Sequence, residues 1–197
     1  VKIAVLSGKG GTGKTLVTVN LAAAAKIATY IDCDVEEPNG HLFFKPEGVQ
    51  EEEVSVKIPQ VNSELCNGCR KCVDFCNFNA LACIANRMIL FEEVCHSCGG
   101  CRIVCPVSAI TEKEKVIGHI ENGVSKNVIV KTGILNVGET SGIPIIRELM
   151  NENENDQRIS VIDCPPGSAC AVMESIRDAD YCILVAEPTI FGIHNLN

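Results

Sequence analysis

Eight cysteines in this chain form two copies of one run. The first is Cys66-x2-Cys69-x2-Cys72-x3-Cys76, and the second is Cys95-x2-Cys98-x2-Cys101-x3-Cys105, followed by Pro106. Each cysteine of the second run lies 29 positions after its counterpart in the first. Three thiolates this close together can wrap one corner of an iron–sulfur cubane, while a fourth, after a longer gap, reaches the other cluster. The spacing therefore assigns Cys66, Cys69, Cys72 and Cys105 to one 4Fe–4S cluster, and Cys95, Cys98, Cys101 and Cys76 to a second. Zinc ribbons also use CxxC pairs, but as two separated pairs rather than three cysteines in tandem plus a fourth. The first run ends Cys76-Asn77 instead of Cys-Pro, which changes the local turn and removes no ligand.

A second chemistry opens the chain. Gly8-Lys9-Gly10-Gly11-Thr12-Gly13-Lys14-Thr15 fits GxxxxGK[ST], directly after an apolar run and before a helical pattern, as a phosphate loop requires. The glycines let backbone N–H groups curl toward phosphate oxygens, and the helix start adds the positive end of its dipole. Lys14 is expected to pair with the outer phosphates of ATP, and the Thr15 hydroxyl to bind magnesium. Asp32 and Asp34 follow one strand, and Asp163 ends another. Ligands of open parallel sheets sit beyond the carboxyl ends of the strands, so all three carboxylates can face the loop. They suit a magnesium ion and an attacking water.

The elements that must hold these residues read as α/β. Residues 2–6 are a short buried strand, 14–26 a packed helix and 27–31 a second strand, which together make a βαβ unit. A second such region has a helix at 142–150, a strand at 158–162, a helix at 168–177 and a strand at 181–186, with 151–157 a solvated loop. Between them, 47–118 is dominated by cysteines, with short and scattered β-branched residues. Within it, 81–90 reads as a hairpin and Glu51–Glu53 as solvated surface. Residues 115–120 and 126–130 flank Glu121-Asn122-Gly123, which reads as the turn of another hairpin. The expected organisation is a nucleotide domain over 1–46 and 119–197, interrupted by a small α+β two-cluster ferredoxin module over 47–118. An open α/β nucleotide fold usually continues for more strands, so a C-terminal part is expected beyond this sequence.

Composition narrows the partners. The 197 residues are 46% hydrophobic, with a net charge of −8, which argues against nucleic acid, a ligand bound through Lys and Arg. No apolar stretch reaches the roughly 18–20 residues of a membrane span; the longest, 17–28, is broken by Asn20 and Lys26. Without an export signal ahead of the first strand, the 13 cysteines point to metal rather than disulfides and the location to the cytoplasm. Cys33, Cys83, Cys164, Cys170 and Cys182 lie outside the ligand pattern and read mostly as small buried apolar residues. His96, between two cluster cysteines, reads as a partly exposed polar residue.

The loop SGKGGTGKT, with its extra lysine Lys9, resembles that of the deviant Walker A ATPases of the MinD, ParA and Mrp type. Asp32-Cys33-Asp34-Val35-Glu36-Glu37-Pro38-Asn39 resembles their first switch, and Asp163-Cys164-Pro165-Pro166-Gly167 their second. More narrowly, the chain resembles MinD-superfamily ATPases carrying an inserted ferredoxin domain. Gly138-Glu139, Glu187-Pro188-Thr189 and Phe191-Gly192-Ile193-His194 also fit that group. The resemblance implies a mostly parallel sheet with helices on both faces and a nucleotide-dependent homodimer. It implies that Lys9 reaches the partner's phosphates, that Asp34 positions the attacking water, and that Asp32 and Asp163 surround magnesium through water.

The expected function is an ATP-hydrolysing iron–sulfur protein whose dimer cycle is coupled to electron transfer, with a redox partner or iron–sulfur acceptor protein. The alternatives are cluster assembly and delivery, or a redox-sensing regulatory ATPase.

Overall fold

The computed structural model describes residues 1–85, 87–151 and 158–189. The motif 191–194 and most of the expected loop 151–157 lie outside the described residues. In chain order the elements are β1 (Lys2–Leu6), α1 (Lys14–Ala24), β2 (Ala28–Asp32), α2 (Gly40–Phe44), β3 (Glu47–Val61), α3 (Lys71–Phe75), β4 (Leu81–Ile84) and β5 (Arg87–Leu90). After a 3₁₀ turn at Glu92–Val94 come α4 (Gly100–Ile103), β6 (Ile110–Ser125), β7 (Val128–Leu135), α5 (Ile143–Met150), β8 (Ile159–Asp163), α6 (Cys170–Ile176) and β9 (Tyr181–Leu184).

The main sheet runs β3-β6-β7-β2-β8-β1-β9. β7, β2, β8, β1 and β9 are parallel to one another, and β6 pairs antiparallel to β7. β2 is buried at every position, as a central parallel strand covered on two faces must be. Side chains alternate along each strand, and this alternation distributes the helices. Val5, Tyr30, Val130 and Val161 pack with Val19 and Ala22 of α1. Gly133, of opposite parity to Val130, meets Leu149 and Ile145 of α5. Helices therefore cover both faces, as the resemblance implies.

Strand register sets the site. Asp32 of β2 lies beside Asp163 of β8, the last residue of each strand.

Two compact units divide the chain: residues 1–54, 118–135 and 142–197, and residues 55–117 with 136–141. β3 carries the chain from the first unit into the second, and β6 carries it back. These two strands, of 15 and 16 residues, correct the reading of 47–118 as short scattered segments. Glu51–Glu53 do stand exposed, but on β3.

The expected turn at Glu121-Asn122-Gly123 is also corrected. These residues lie inside β6, paired with Thr132, Lys131 and Val130. The chain reverses at Lys126-Asn127, with Lys126 at φ 54. Gly123 serves close approach instead of reversal: a Cβ there would come within 2.8 Å of Pro46 Cβ.

In the second unit the 29-residue repeat is written into the backbone. Gly68 and Ser97 have φ of 69 and 52, Arg70 and Gly99 of 62 and 69, and Asn79 and Ser108 of 55 and 51. The short helices α3 and α4 start at the equivalent residues Lys71 and Gly100. Left-handed backbone is unfavourable for non-glycine residues, costing roughly 1–2 kcal/mol each. Its recurrence at matched positions shows that each cysteine run is bent the same way. Cys72, Cys101, Leu81 and Ile110 form this unit's core, backed by the antiparallel β4–β5 hairpin.

Candidate functional site

The phosphate loop joins β1 to α1. Gly11 and Gly13 have φ of 77 and 88, a conformation that glycine adopts freely and other residues do not. Among the described residues, nothing lies within 4 Å of where a Cβ of Gly10, Gly11 or Gly13 would be, so the loop leaves an open cradle over its backbone. The Thr12 hydroxyl is buried with no hydrogen-bond partner among the described residues. A phosphate oxygen fits both features: space above a glycine backbone and a polar atom in need of a partner. Gly8 and Thr15 flank this cradle, Thr15 as a half-buried residue of α1. Gly167, at φ 90, donates its N–H to the Ser7 carbonyl at 2.9 Å, tying the loop after β8 to the one after β1.

Lys14 is 6% exposed, and its Nζ lies 2.6 Å from Asp163 Oδ1. The Thr18 hydroxyl, one helical turn further on, lies 3.3 Å from the same oxygen. Asp32 is buried and accepts backbone N–H bonds from Asp34 on Oδ1 at 3.2 Å, and from Asn39 and Gly40 on Oδ2 at 3.2 and 2.9 Å. One carboxylate thus folds the whole 34–40 loop around itself. Lys9 forms an ion pair with Glu187 of the same chain. The structure brings Lys14, Asp32 and Asp163 together directly, and links Asp34 to them through Asp32.

The sequence reading missed Tyr30. Its hydroxyl lies 3.0 Å from Asp163 Oδ2 and 3.3 Å from Asp32 Oδ2. A signal existed, because Tyr30 precedes Asp32 by two and strand alternation places both on one face. Burial and the two carboxylates hold the Tyr30 phenol well above its ordinary range, so it remains a hydrogen donor.

Burial, then repulsion from Asp163, pushes the Asp32 carboxyl up to about 7; burial chiefly pushes Asp34 up to about 6. These shifts make stability pH-dependent. A raised carboxyl pKa means that the folded chain keeps a proton that the unfolded chain releases near pH 4, so stability falls as pH rises from there to about 7. The denaturation midpoint of nucleotide-free protein should drop between about pH 5 and 7.5, and Asp32→Asn should flatten the profile. A profile that is flat in the parent protein would contradict this.

In the second unit the eight cysteines sort into two cavities. Cys66, Cys69, Cys72 and Cys105 line one; Cys76, Cys95, Cys98 and Cys101 line the other. Among the described residues, no three His, Cys, Asp or Glu side chains converge tightly enough for a single metal ion. Four thiolates around one zinc share one atom at about 2.3 Å; thiolates on a cubane bind four separate irons and stand further apart. The donor set, four cysteines around each cavity, fits a cluster. Burial pushes the Cys72, Cys95 and Cys101 thiols up, Cys101 to about 11. A metal bound through these thiols would release their protons. Ala109 N–H lies 3.2 Å from Cys105 Sγ, a hydrogen bond of the kind that tunes cluster potential.

His96 stacks on Phe78, with ring centroids 3.8 Å apart, and lines the second cage. Of the cysteines outside the pattern, Cys33 and Cys164 are buried as expected, and burial raises both thiols, Cys164 to about 12. Cys170 and Cys182 are exposed and Cys83 is half-buried, which corrects the reading of these three as core residues. Cys170 opens α6, and Cys182 lies on β9, a strand exposed at all four positions.

Residues 3–168 match the CobQ/CobB/MinD/ParA nucleotide binding domain family. The chain belongs to that family. Two uncharacterized proteins of Methanocaldococcus jannaschii are 32% and 33% identical over 97% and 98% of this chain, and over 71% and 70% of their own lengths. An iron-sulfur cluster carrier protein of Pyrococcus horikoshii is 53% identical over 57 residues, covering 27% of this chain and 18% of its own. Among solved structures, the septum site-determining protein MinD of Pyrococcus horikoshii, complexed with Mg-ADP, aligns with a TM-score of 0.53 at 19% identity, over 98% of this chain and 60% of its own. That likeness establishes the fold. No described helix is long and apolar enough to cross a membrane.

Proposed function

We propose that this chain is a magnesium-dependent ATPase whose dimer cycle is coupled to electron transfer through two 4Fe–4S clusters. The observation that carries the reading is the sorting of the cysteines. Each cavity holds three from one run and the fourth from the other, which makes two complete four-cysteine sets of the crossed kind that two-cluster ferredoxins use. A complete set suits a resident cluster better than a passing one.

In the nucleotide cycle, the backbone of 8–15 and the Thr12 hydroxyl bind the phosphates, and Lys14 turns its ammonium from Asp163 to the outer phosphate oxygens. Thr15, Asp32 and Asp163 would hold magnesium, directly or through water; when bound, it neutralises the charge developing on the phosphates. Asp34 orients the attacking water. Lys9 leaves Glu187 to meet the phosphates of a second subunit. The clusters, when held, supply one-electron transfer, and their potential responds to charge, hydrogen bonding and solvent access. The Asp32 loop leads through α2 into β3, the strand that enters the cysteine-bearing unit, so a change at the first switch has a short covalent route to it.

One observation favours a second reading, cluster delivery: the short segments shared with iron-sulfur cluster carrier proteins at 53% and 49% identity. EPR of anaerobic, dithionite-reduced protein, with and without magnesium and a non-hydrolysable ATP analogue, separates the two. Reduced-cluster signals that shift with nucleotide are expected. Signals indifferent to nucleotide, together with iron and sulfide transfer to an apo-ferredoxin, would replace electron transfer by delivery.

A further inference from the structure

A single hydroxyl group joins the two halves of the metal side of this site. Asp163 is held from one direction by Lys14, through Oδ1, and from the other by Tyr30, through Oδ2. Asp32 uses Oδ2 to face Tyr30 and to accept the N–H groups of Asn39 and Gly40. The chain of contacts therefore runs from Lys14 of the phosphate loop to Asp163, Tyr30 and Asp32, and ends in the loop 34–40. Among the described residues, no other side chain hydrogen-bonds to both carboxylates.

Two carboxylates at the ends of neighbouring strands repel one another, and both are buried. The phenol places one positive hydrogen between them. The hydroxyl reaches an oxygen of each, Asp163 at 3.0 Å and Asp32 at 3.3 Å, so the shorter bond is to Asp163. The ring carrying it cannot drift. It packs in the α1-side core with Val19, Ala22 and Val161, lies 5.0 Å from the Phe44 ring, and abuts Gly40 so closely that any side chain at position 40 would overlap it. A fixed donor set between two acidic groups is what a metal site needs to keep its carboxylates at one spacing before the ion arrives.

We infer that Tyr30 is a positioning residue for the divalent metal, setting the distance between Asp32 and Asp163 and passing a change at Lys14 to the 34–40 loop. This rests on the reading of Asp32 and Asp163 as the residues around magnesium. Tyr30 touches neither nucleotide nor metal in this account, so its loss acts on metal affinity and turnover and spares the binding of nucleotide alone.

Tyr30→Phe keeps the ring and removes the hydroxyl. Manganese(II), which substitutes for magnesium and gives an EPR signal while free, is titrated at room temperature into cluster-loaded protein with ADP. The variant should bind manganese about ten-fold more weakly, the usual cost of losing a group that orients metal ligands. Its affinity for ADP without divalent metal should change by less than about two-fold, and kcat should fall with KM little altered. Wild-type manganese affinity in Tyr30→Phe would overturn the inference, as would a merely lower melting temperature with an unchanged metal titration.

Asp32→Asn and Asp163→Asn separate the layers. If both weaken manganese binding and Tyr30→Phe does not, only the role of Tyr30 fails; if neither does, the magnesium assignment itself fails. Should the variant not fold, 3-fluorotyrosine in the parent protein gives two ¹⁹F signals, since the chain has two tyrosines. The buried one is expected to move on adding magnesium to the ADP complex beyond any shift caused by ADP, and a signal unmoved by magnesium would overturn the proposal.

Discussion

Lys14→Ala should abolish nucleotide binding. Lys14 is the buried cation of the phosphate loop, 6% exposed, with its charge 2.6 Å from Asp163. The loop's other lysine, Lys9, is paired with Glu187 and is assigned to the phosphates of a second subunit, so it does not replace Lys14. A hydrogen bond to a charged group contributes about 1.5–3 kcal/mol, and two of them to phosphate oxygens are lost together. At about 1.4 kcal/mol per factor of ten, the affinity should fall by ~100-fold or more, read by calorimetric titration with ADP and magnesium. The variant should also be less stable without nucleotide. Removing one partner of a buried ion pair strands the other, at a cost of about 3–5 kcal/mol. Here the stranded group is Asp163, already beside Asp32. Lys14→Ala,Asp163→Asn should recover much of that stability and none of the affinity. This split distinguishes the two jobs of Lys14. A single variant that binds nucleotide within a few-fold of the parent would remove the loop from the nucleotide site.

Local signals made one part of this architecture legible. β1, α1 and the glycine loop are contiguous, and each carries its own pattern, so strand, helix and loop lay within one or two residues of their places. The cysteine runs were equally plain, since their spacing alone dictates how the backbone must bend. Long-range pairing defeated the reading. β3 and β6 gain their length by lying next to each other, with β6 also against β7, and nothing within either strand announces it. Asn122-Gly123 is a strong hairpin signal in isolation. Tertiary contact with Pro46 uses the missing side chain for another purpose, and the turn falls four residues later, at Lys126-Asn127. Tyr30 was hidden for the same reason. A tyrosine in an apolar strand looks like core, and it is core; its second role exists only because register sets Asp163 beside Asp32.

The proposed crossed ligation makes the sharpest prediction for the cysteines. Cys105 closes the second run in sequence, yet it lines the cavity of Cys66, Cys69 and Cys72. Cys105→Ala should therefore damage the cluster held by the first run and leave the other, lowering iron from about eight to about four per chain. Which cluster is lost can be read without assigning any spectrum, by combining variants. Removals that strike one cluster are not additive, whereas removals that strike different clusters are. Cys69→Ala added to Cys105→Ala should cost no further iron, because that cluster is already gone. Cys98→Ala added to Cys105→Ala should remove the remainder. Cys76→Ala should show the mirror pattern, additive with Cys69→Ala and not with Cys98→Ala, since Cys76 lines the cavity of Cys95, Cys98 and Cys101. The reverse outcome, in which Cys105 groups with Cys98, would mean that each run wraps its own cluster. The two cages would then be independent, and electron passage from one run's cluster to the other would lose the ligand exchange that ties them into one module.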